Sequence, residues 1–218
     1  MTDVALAPAR RPLLRGVSHE IAFYVAVVAG LALVAAAPPG ARVRVAVYAA
    51  SLATLLGVSA LYHRHDWAPA PRAVMRRLDH AAIFLLIAGT YTPFSLLLAP
   101  THAHVLLAVA WGGATAGILQ VLFWPKAPKP VIALIYVAFG WTAMPLMPVI
   151  GAAIGAGRLA LFAAGGVAYS VGALVYARRR PNPFPRVFGY HEIFHALVVL
   201  AAVLHFVVVA GAVTRHVK

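Results

Sequence analysis

Stretches without any Asp, Glu, Lys or Arg divide the chain into apolar runs over residues 21–41, 45–63, 80–125, 131–157, 159–177 and 193–214. A helix needs about 20 apolar residues to cross a bilayer. Five of the runs fit one crossing each. The run over 80–125 has 46 residues, enough for two. Ala99-Pro100-Thr101-His102-Ala103-His104 interrupts it, and a proline followed by two imidazoles predicts a surface hairpin there. The pattern therefore predicts an all-α, polytopic seven-transmembrane helix bundle. Residues 1–17 form a cytoplasmic N-terminal segment, 18–214 the membrane domain, and 215–218 a short extracytoplasmic tail.

The first run follows Arg10, Arg11 and Arg15 and ends near Ala35-Ala36-Ala37, a layout shared with secretory signals. It is longer than the ~7–15 residues of a signal core, and Pro38-Pro39 follows, so it reads as an uncleaved first helix.

Composition agrees. Hydrophobic residues make up 63% of the 218 and charged residues 11%, with mean hydropathy +0.88. Soluble domains carry about 25% charged residues, and disorder requires the opposite bias. The formal net charge of +13 invites a nucleic-acid reading. That reading fails because the basic residues sit in short clusters between uncharged stretches. With no Cys there is no disulfide and no thiolate site. Any metal must be held by His, Asp or Glu, and ten His stand against five acids.

Lys and Arg gather on the cytoplasmic side of membrane proteins. One side of a seven-helix chain receives the N-terminus and the second, fourth and sixth loops. That side carries Arg10, Arg11, Arg15, Arg64, Arg72, Arg76, Arg77, Lys126, Lys129, Arg178, Arg179, Arg180 and Arg186. The other carries Arg42, Arg44, Arg158, Arg215 and Lys218. Thirteen against five predicts the N-terminus inside and the C-terminus outside, in the cell's inner (plasma) membrane. Tyr62, Trp67, Trp124, Tyr176 and Tyr190 fall near the inner boundary and read as an interfacial aromatic belt. Gly113 and Gly117, and Gly151 and Gly155, read as close helix packing. Pro93, Pro145 and Pro148 fall inside spans and predict kinks.

Ionisable residues within spans are costly and mark functional positions. Helix two ends Ser59-Ala60-Leu61-Tyr62-His63, helix three begins Leu78-Asp79-His80, and helix seven begins Tyr190-His191-Glu192-Ile193-Phe194-His195. Three segments distant in sequence thus bring Ser59, His63, Asp79, His191 and His195 to similar depth near the cytoplasmic boundary. Residues i and i+4 share a helix face, so His191 and His195 can address one point, as can Ser59 and His63. Three imidazoles with one open position form the pattern of a catalytic zinc site, although nitrogen and oxygen donors also suit other divalent metals. Asp79 fits as a carboxylate that orients a ligand or holds the metal's water, and Ser59 as a hydrogen-bonding partner of water or a substrate carbonyl. The alternatives are interhelical hydrogen bonding by single histidines and a proton relay.

His191-Glu192-Ile193-Phe194-His195 also matches H-E-x-x-H, in which the Glu is a general base. Glu192 has a second reading as a first-turn acid favoured by the helix dipole. His80 points about 100° away from Asp79. His205 lies ten residues past His195, about 15 Å along the helix and too far to share a metal. His19 and His65 fall at span boundaries, where solvation accounts for them. His102 and His104 belong to the outer hairpin.

Ser59-x-x-x-His63, Leu78-Asp79-His80 followed by Ala88-Gly89-Thr90-Tyr91-Thr92-Pro93, and His191-x-x-x-His195 resemble the hemolysin III family, the bacterial branch of the progestin and adipoQ receptor superfamily. The resemblance covers essentially all seven helices. It implies an inside N-terminus and zinc held by the residues matching His63, His191 and His195, with those matching Asp79 and Ser59 beside it. Related membrane proteins with this constellation include alkaline ceramidases, which hydrolyse lipid amides. The acid-rich stretch that often precedes the first helix in that family is reduced here to Ser18-His19-Glu20.

The leading expectation is a zinc-dependent intramembrane hydrolase of a lipid amide or ester, with Asp79 and Ser59 catalytic and Glu192 an alternative base. Membrane lipids are its expected partners; nucleic acid is not, and nothing specifies a protein partner. One rival is a receptor-like sensor with a structural zinc. Another is a cytolysin-type pore, which lacks a span with a polar stripe along its length.

Overall fold

The computed structural model describes residues 12–216, with side chains to residue 213. Arg10, Arg11 and Lys218 of the charge count lie outside the described residues. Eight α-helices follow one another: α1 (Val17–Ala36), α2 (Pro39–Arg64), α3 (Pro69–Phe94), α4 (Pro100–Phe123), α5 (Lys129–Gly140), α6 (Met147–Ile154), α7 (Ala156–Arg178) and α8 (Tyr190–His216). They supply seven segments long and apolar enough to cross a membrane, because α5 and α6 together make the fifth, Lys129–Ile154. Among the described residues there is no strand. The seven-helix expectation holds.

Prolines define these helices more than side-chain caps do. α2 to α6 each carry Pro in the first two positions, and none of these starts has a side-chain cap. Proline fits there because its missing N–H would have no intrahelical partner anyway, and its φ is already helical. This changes the expected hairpin at 99–104. A 3-10 turn over Ser95–Leu97 ends the third span, and Pro100 starts α4. His102 and His104 are exposed in the first turns of α4 rather than in a loop.

The fifth span is broken, not merely kinked. α5 stops at Gly140, a 3-10 turn holds Met144–Leu146 including Pro145, and α6 resumes at Met147 with Pro148 in its first turn. The freed Gly140 carbonyl accepts a hydrogen bond from the Tyr91 hydroxyl of α3, which offsets the lost intrahelical bond.

Helices α1 to α4 pack in sequence order, α5 packs on α7, α7 on α8, and α8 returns to α1 and α3. Burial separates inner from outer helices. Of the best membrane-crossing window, 61% is buried in the third span, 50% in the second and 44% in the seventh, against 22–28% in the other four. These three inner helices are the ones that carry the candidate residues. The glycine pair in α4 packs as expected: Gly113 faces the Phe139 ring and Gly117 the Phe84 ring, where added Cβ atoms would stand 2.4 and 2.2 Å from ring carbons.

Candidate metal centre

α2 delivers His63 from its last turn, and α8 delivers His191 and His195 one turn apart. The three rings offer ligand atoms that all lie within 4.8 Å of one another. Nε2 of His63 and Nε2 of His191 are 3.1 Å apart. Two donors on one tetrahedral zinc at ~2.0–2.1 Å stand about 3.3 Å apart, so this spacing already matches a shared ion. Nδ1 of His195 is buried without a partner, an orphan of the kind that needs explaining and that an ion can satisfy. The donor set is nitrogen with an adjacent carboxylate, suited to a divalent metal. The residues present fit the ion that their spacing suggested.

Asp79 approaches from α3, with Oδ2 3.8 Å from His63 Nε2. Nε2 is the nitrogen that faces His191, so the carboxylate stands on the ligand side of the ring rather than behind it. Of the two roles expected for Asp79, this position suits holding a reacting group better than orienting the imidazole. Ser59 is buried one turn before His63 and stands beside the Asp79 carboxylate.

Glu192 stands apart from the three ligands. It is buried, accepts the Gly189 backbone N–H at 2.8 Å and pairs with Arg15. Gly189 caps α8, since the Ile193 N–H bonds its carbonyl. Glu192 therefore occupies the third helical position and reaches back to the cap, as the acid of a capping box does. The H-E-x-x-H spacing arises here from a helix start that contains two of the clustered histidines.

The reading of His19 as a solvated boundary residue is overturned. Its ring is 2% exposed and stacks on His195, with centroids 3.9 Å apart and planes within 8°. Neither ring nitrogen has a partner. The cause is the packing of α1 on α8, which nothing local to residues 17–20 announces. His205 is also buried; its Nε2 donates to the Phe162 carbonyl at 3.0 Å, joining α8 to α7 away from the metal site. His80 lines a small recess with Arg76, Gln120 and Trp124 and also, with Asp79, a larger vestibule.

Two cavities meet at the cluster. A vestibule of about 510 Å³, lined by charged as well as apolar side chains, includes His63, His191 and Asp79 in its wall. A mostly apolar cavity of about 330 Å³ includes His195, Ser59 and Asp79, and continues to His205. Gly140, Trp141, Met144 and Met147 from the break in the fifth span line the apolar cavity, so the two prolines make room rather than simply bending a helix. Tyr62, Tyr176 and Tyr190 line the vestibule, which removes them from the expected lipid-facing belt; Trp124 remains exposed.

The profile of the family described as "Haemolysin-III related" matches residues 8–206. The chain is 33% identical over 161 residues to "Hemolysin-3" of Bacillus cereus, covering 73% of this chain and 70% of that one. It is 36% identical over 129 residues to "Hemolysin-3 homolog" of Bacillus subtilis (strain 168), covering 57% and 56%. The "Adiponectin receptor protein" of Drosophila melanogaster is 30% identical over 151 residues, which span 60% of this chain and 33% of that receptor. The match thus spans just over half of the Bacillus subtilis relative and a third of the insect one. With seven apolar spans, clustered histidines on the second and seventh, and a family match over most of its length, this integral membrane protein belongs to the haemolysin-III-related family.

Proposed function

We propose that the protein is a zinc-dependent hydrolase of a membrane lipid amide or ester, acting to adjust membrane lipid composition. The observation that carries this reading is the position of three imidazoles and Asp79 at the junction of a vestibule rich in charged side chains and an apolar cavity. A lipid has the same division, with its amide or ester bond between a polar headgroup and an acyl chain. The charge asymmetry supports a vestibule facing the inner leaflet.

His63, His191 and His195 hold the ion as neutral nitrogen donors. Bound zinc supplies a Lewis acid that polarises a carbonyl and lowers the pKa of water toward about 7. Asp79 takes the proton of the attacking water at Oδ2, the oxygen nearest the cluster, and returns it to the leaving amine or alcohol as the C–N or C–O bond breaks. Ser59 donates its hydroxyl hydrogen to that carboxylate and holds it in place. The apolar cavity takes the acyl chain and keeps bulk water from the chain side of the bond.

The test incubates purified protein with a panel of lipid amides, with and without a chelator. Metal-dependent fatty-acid release, restored by added zinc, is the expected outcome. Absence of release across the panel from zinc-loaded protein refutes the hydrolase.

One observation favours a second reading, a sensor with a structural ion. α2 makes little backbone contact with α8, so an ion between His63 and the α8 pair would staple two helices that otherwise scarcely touch. An Asp79→Asn protein that keeps its metal and fold separates the two readings by whether turnover survives.

A further inference from the structure

The vestibule wall is strongly cationic. Arg15, Arg72, Arg76, Lys126, Lys129 and Arg179 all line it, and the one acidic residue among them is Asp79 beside the metal ligands. Arg15 is paired with Glu192. The other five form no ion pair with a carboxylate among the described residues.

Cytoplasmic cations alone would reflect orientation, but these are selected and held. Arg64, Arg77, Arg178, Arg180 and Arg186 come from the same loops and do not line the cavity. Arg76 Nη2 donates to the Pro125 carbonyl at 2.7 Å, which fixes its guanidinium while leaving other N–H groups unused. Lys129 Nζ donates to the Tyr190 hydroxyl at 3.1 Å and sits 4.4 Å from the Tyr176 ring centroid. A concave site lined by one sign of charge focuses its potential and concentrates the opposite charge.

We propose that the vestibule is an anion-binding site and that the lipid it receives carries a negatively charged headgroup, a carboxylate or a phosphate, on the vestibule side of the scissile bond. The scissile bond in this inference rests on the hydrolase reading; the binding of an anionic headgroup does not.

Three probes with one acyl chain separate the possibilities: N-palmitoylglycine, N-palmitoyl-O-phosphoethanolamine and the neutral N-palmitoylethanolamine. Their affinities for the purified full-length chain in neutral detergent are measured by competition against a fluorescent fatty acid, and turnover is followed in the same samples. One or both anionic probes should bind about ten-fold tighter than the neutral one near 0.05 M salt, with the preference falling to about two-fold near 1 M as screening shortens. Which anionic probe gains more separates carboxylate from phosphate. In an R72Q/K126Q double variant with unchanged metal content and thermal unfolding, the preference should fall to about two- or three-fold. Equal affinity of the three probes for the unmodified protein, or no binding of any, overturns the anion site without recourse to a variant. Hydrolysis of the neutral probe without an anionic preference removes this inference and leaves the hydrolase. An anionic preference without hydrolysis of any probe does the reverse.

Discussion

Replacing Asp79 by Asn changes one atom and removes one charge at the centre of the proposed chemistry. The carboxylate lies 3.8 Å from His63 Nε2, with its side chain only 14% exposed. All three imidazoles remain, so the loss of metal affinity should stay near the 10–100-fold seen for groups that support metal ligands. Chemistry should suffer more. Asn cannot accept a proton, and loss of a positioned general base costs about 10²–10⁴ in rate.

The assay loads wild-type and Asp79→Asn proteins to saturation with zinc, confirms equal metal content, and then compares fatty-acid release from one lipid amide. A rate lowered at least about 100-fold at full occupancy supports Asp79 as the proton acceptor. An unchanged rate at full occupancy refutes that role. Loss of metal that no zinc concentration restores would instead make Asp79 a ligand.

Four further outcomes follow from the geometry. His63→Ala and His191→Ala should each bring purified protein from about one zinc per chain to below about 0.1, measured by elemental analysis, since two ligands cannot hold a site built for three. His19→Phe keeps a ring against His195 and removes two unpartnered nitrogens, so it should leave metal content intact and raise stability by about 1 kcal/mol in detergent melts; loss of zinc would show His19 to be a ligand. Glu192→Gln keeps an acceptor for the Gly189 N–H, so turnover should change less than about three-fold, whereas a general base would cost at least 100-fold. Gly117→Ala pushes a methyl group against the Phe84 ring and should lower stability by about 1–3 kcal/mol through overpacking, read as a lowered melting temperature.

Seven spans were legible because a bilayer crossing demands a long uncharged run, a requirement that sequence alone can meet or fail. His63, His191 and His195 were legible for a related reason. An imidazole inside an apolar run is conspicuous, and the i, i+4 spacing in α8 fixes two of them on one face before any tertiary contact is known. Asp79 entered by depth, and its side of the cluster came only from the packing of α3 against α2. His19 shows where the method stops. Its burial depends on α1 returning to α8 across more than 170 residues of chain, and its only local mark is one imidazole near the start of an apolar run.

The same distinction explains why the two cavities could not be foreseen. Pro145 and Pro148 announce an irregular fifth span, but whether an irregular span yields a bend or an opening depends on what stands opposite. Here Tyr91 holds the broken end at Gly140, and the gap joins the space below the histidines. Tyr62, Tyr176 and Tyr190 announce an interface, yet all three line the vestibule, where Lys129 reaches between Tyr176 and Tyr190. Charge, aromatic and proline positions that separately served orientation, anchoring and bending thus combine into the walls of two adjoining cavities, with the histidine cluster between them. A structural ion would need only the three histidines, so the two adjoining cavities are what favours the proposed chemistry over the proposed scaffold.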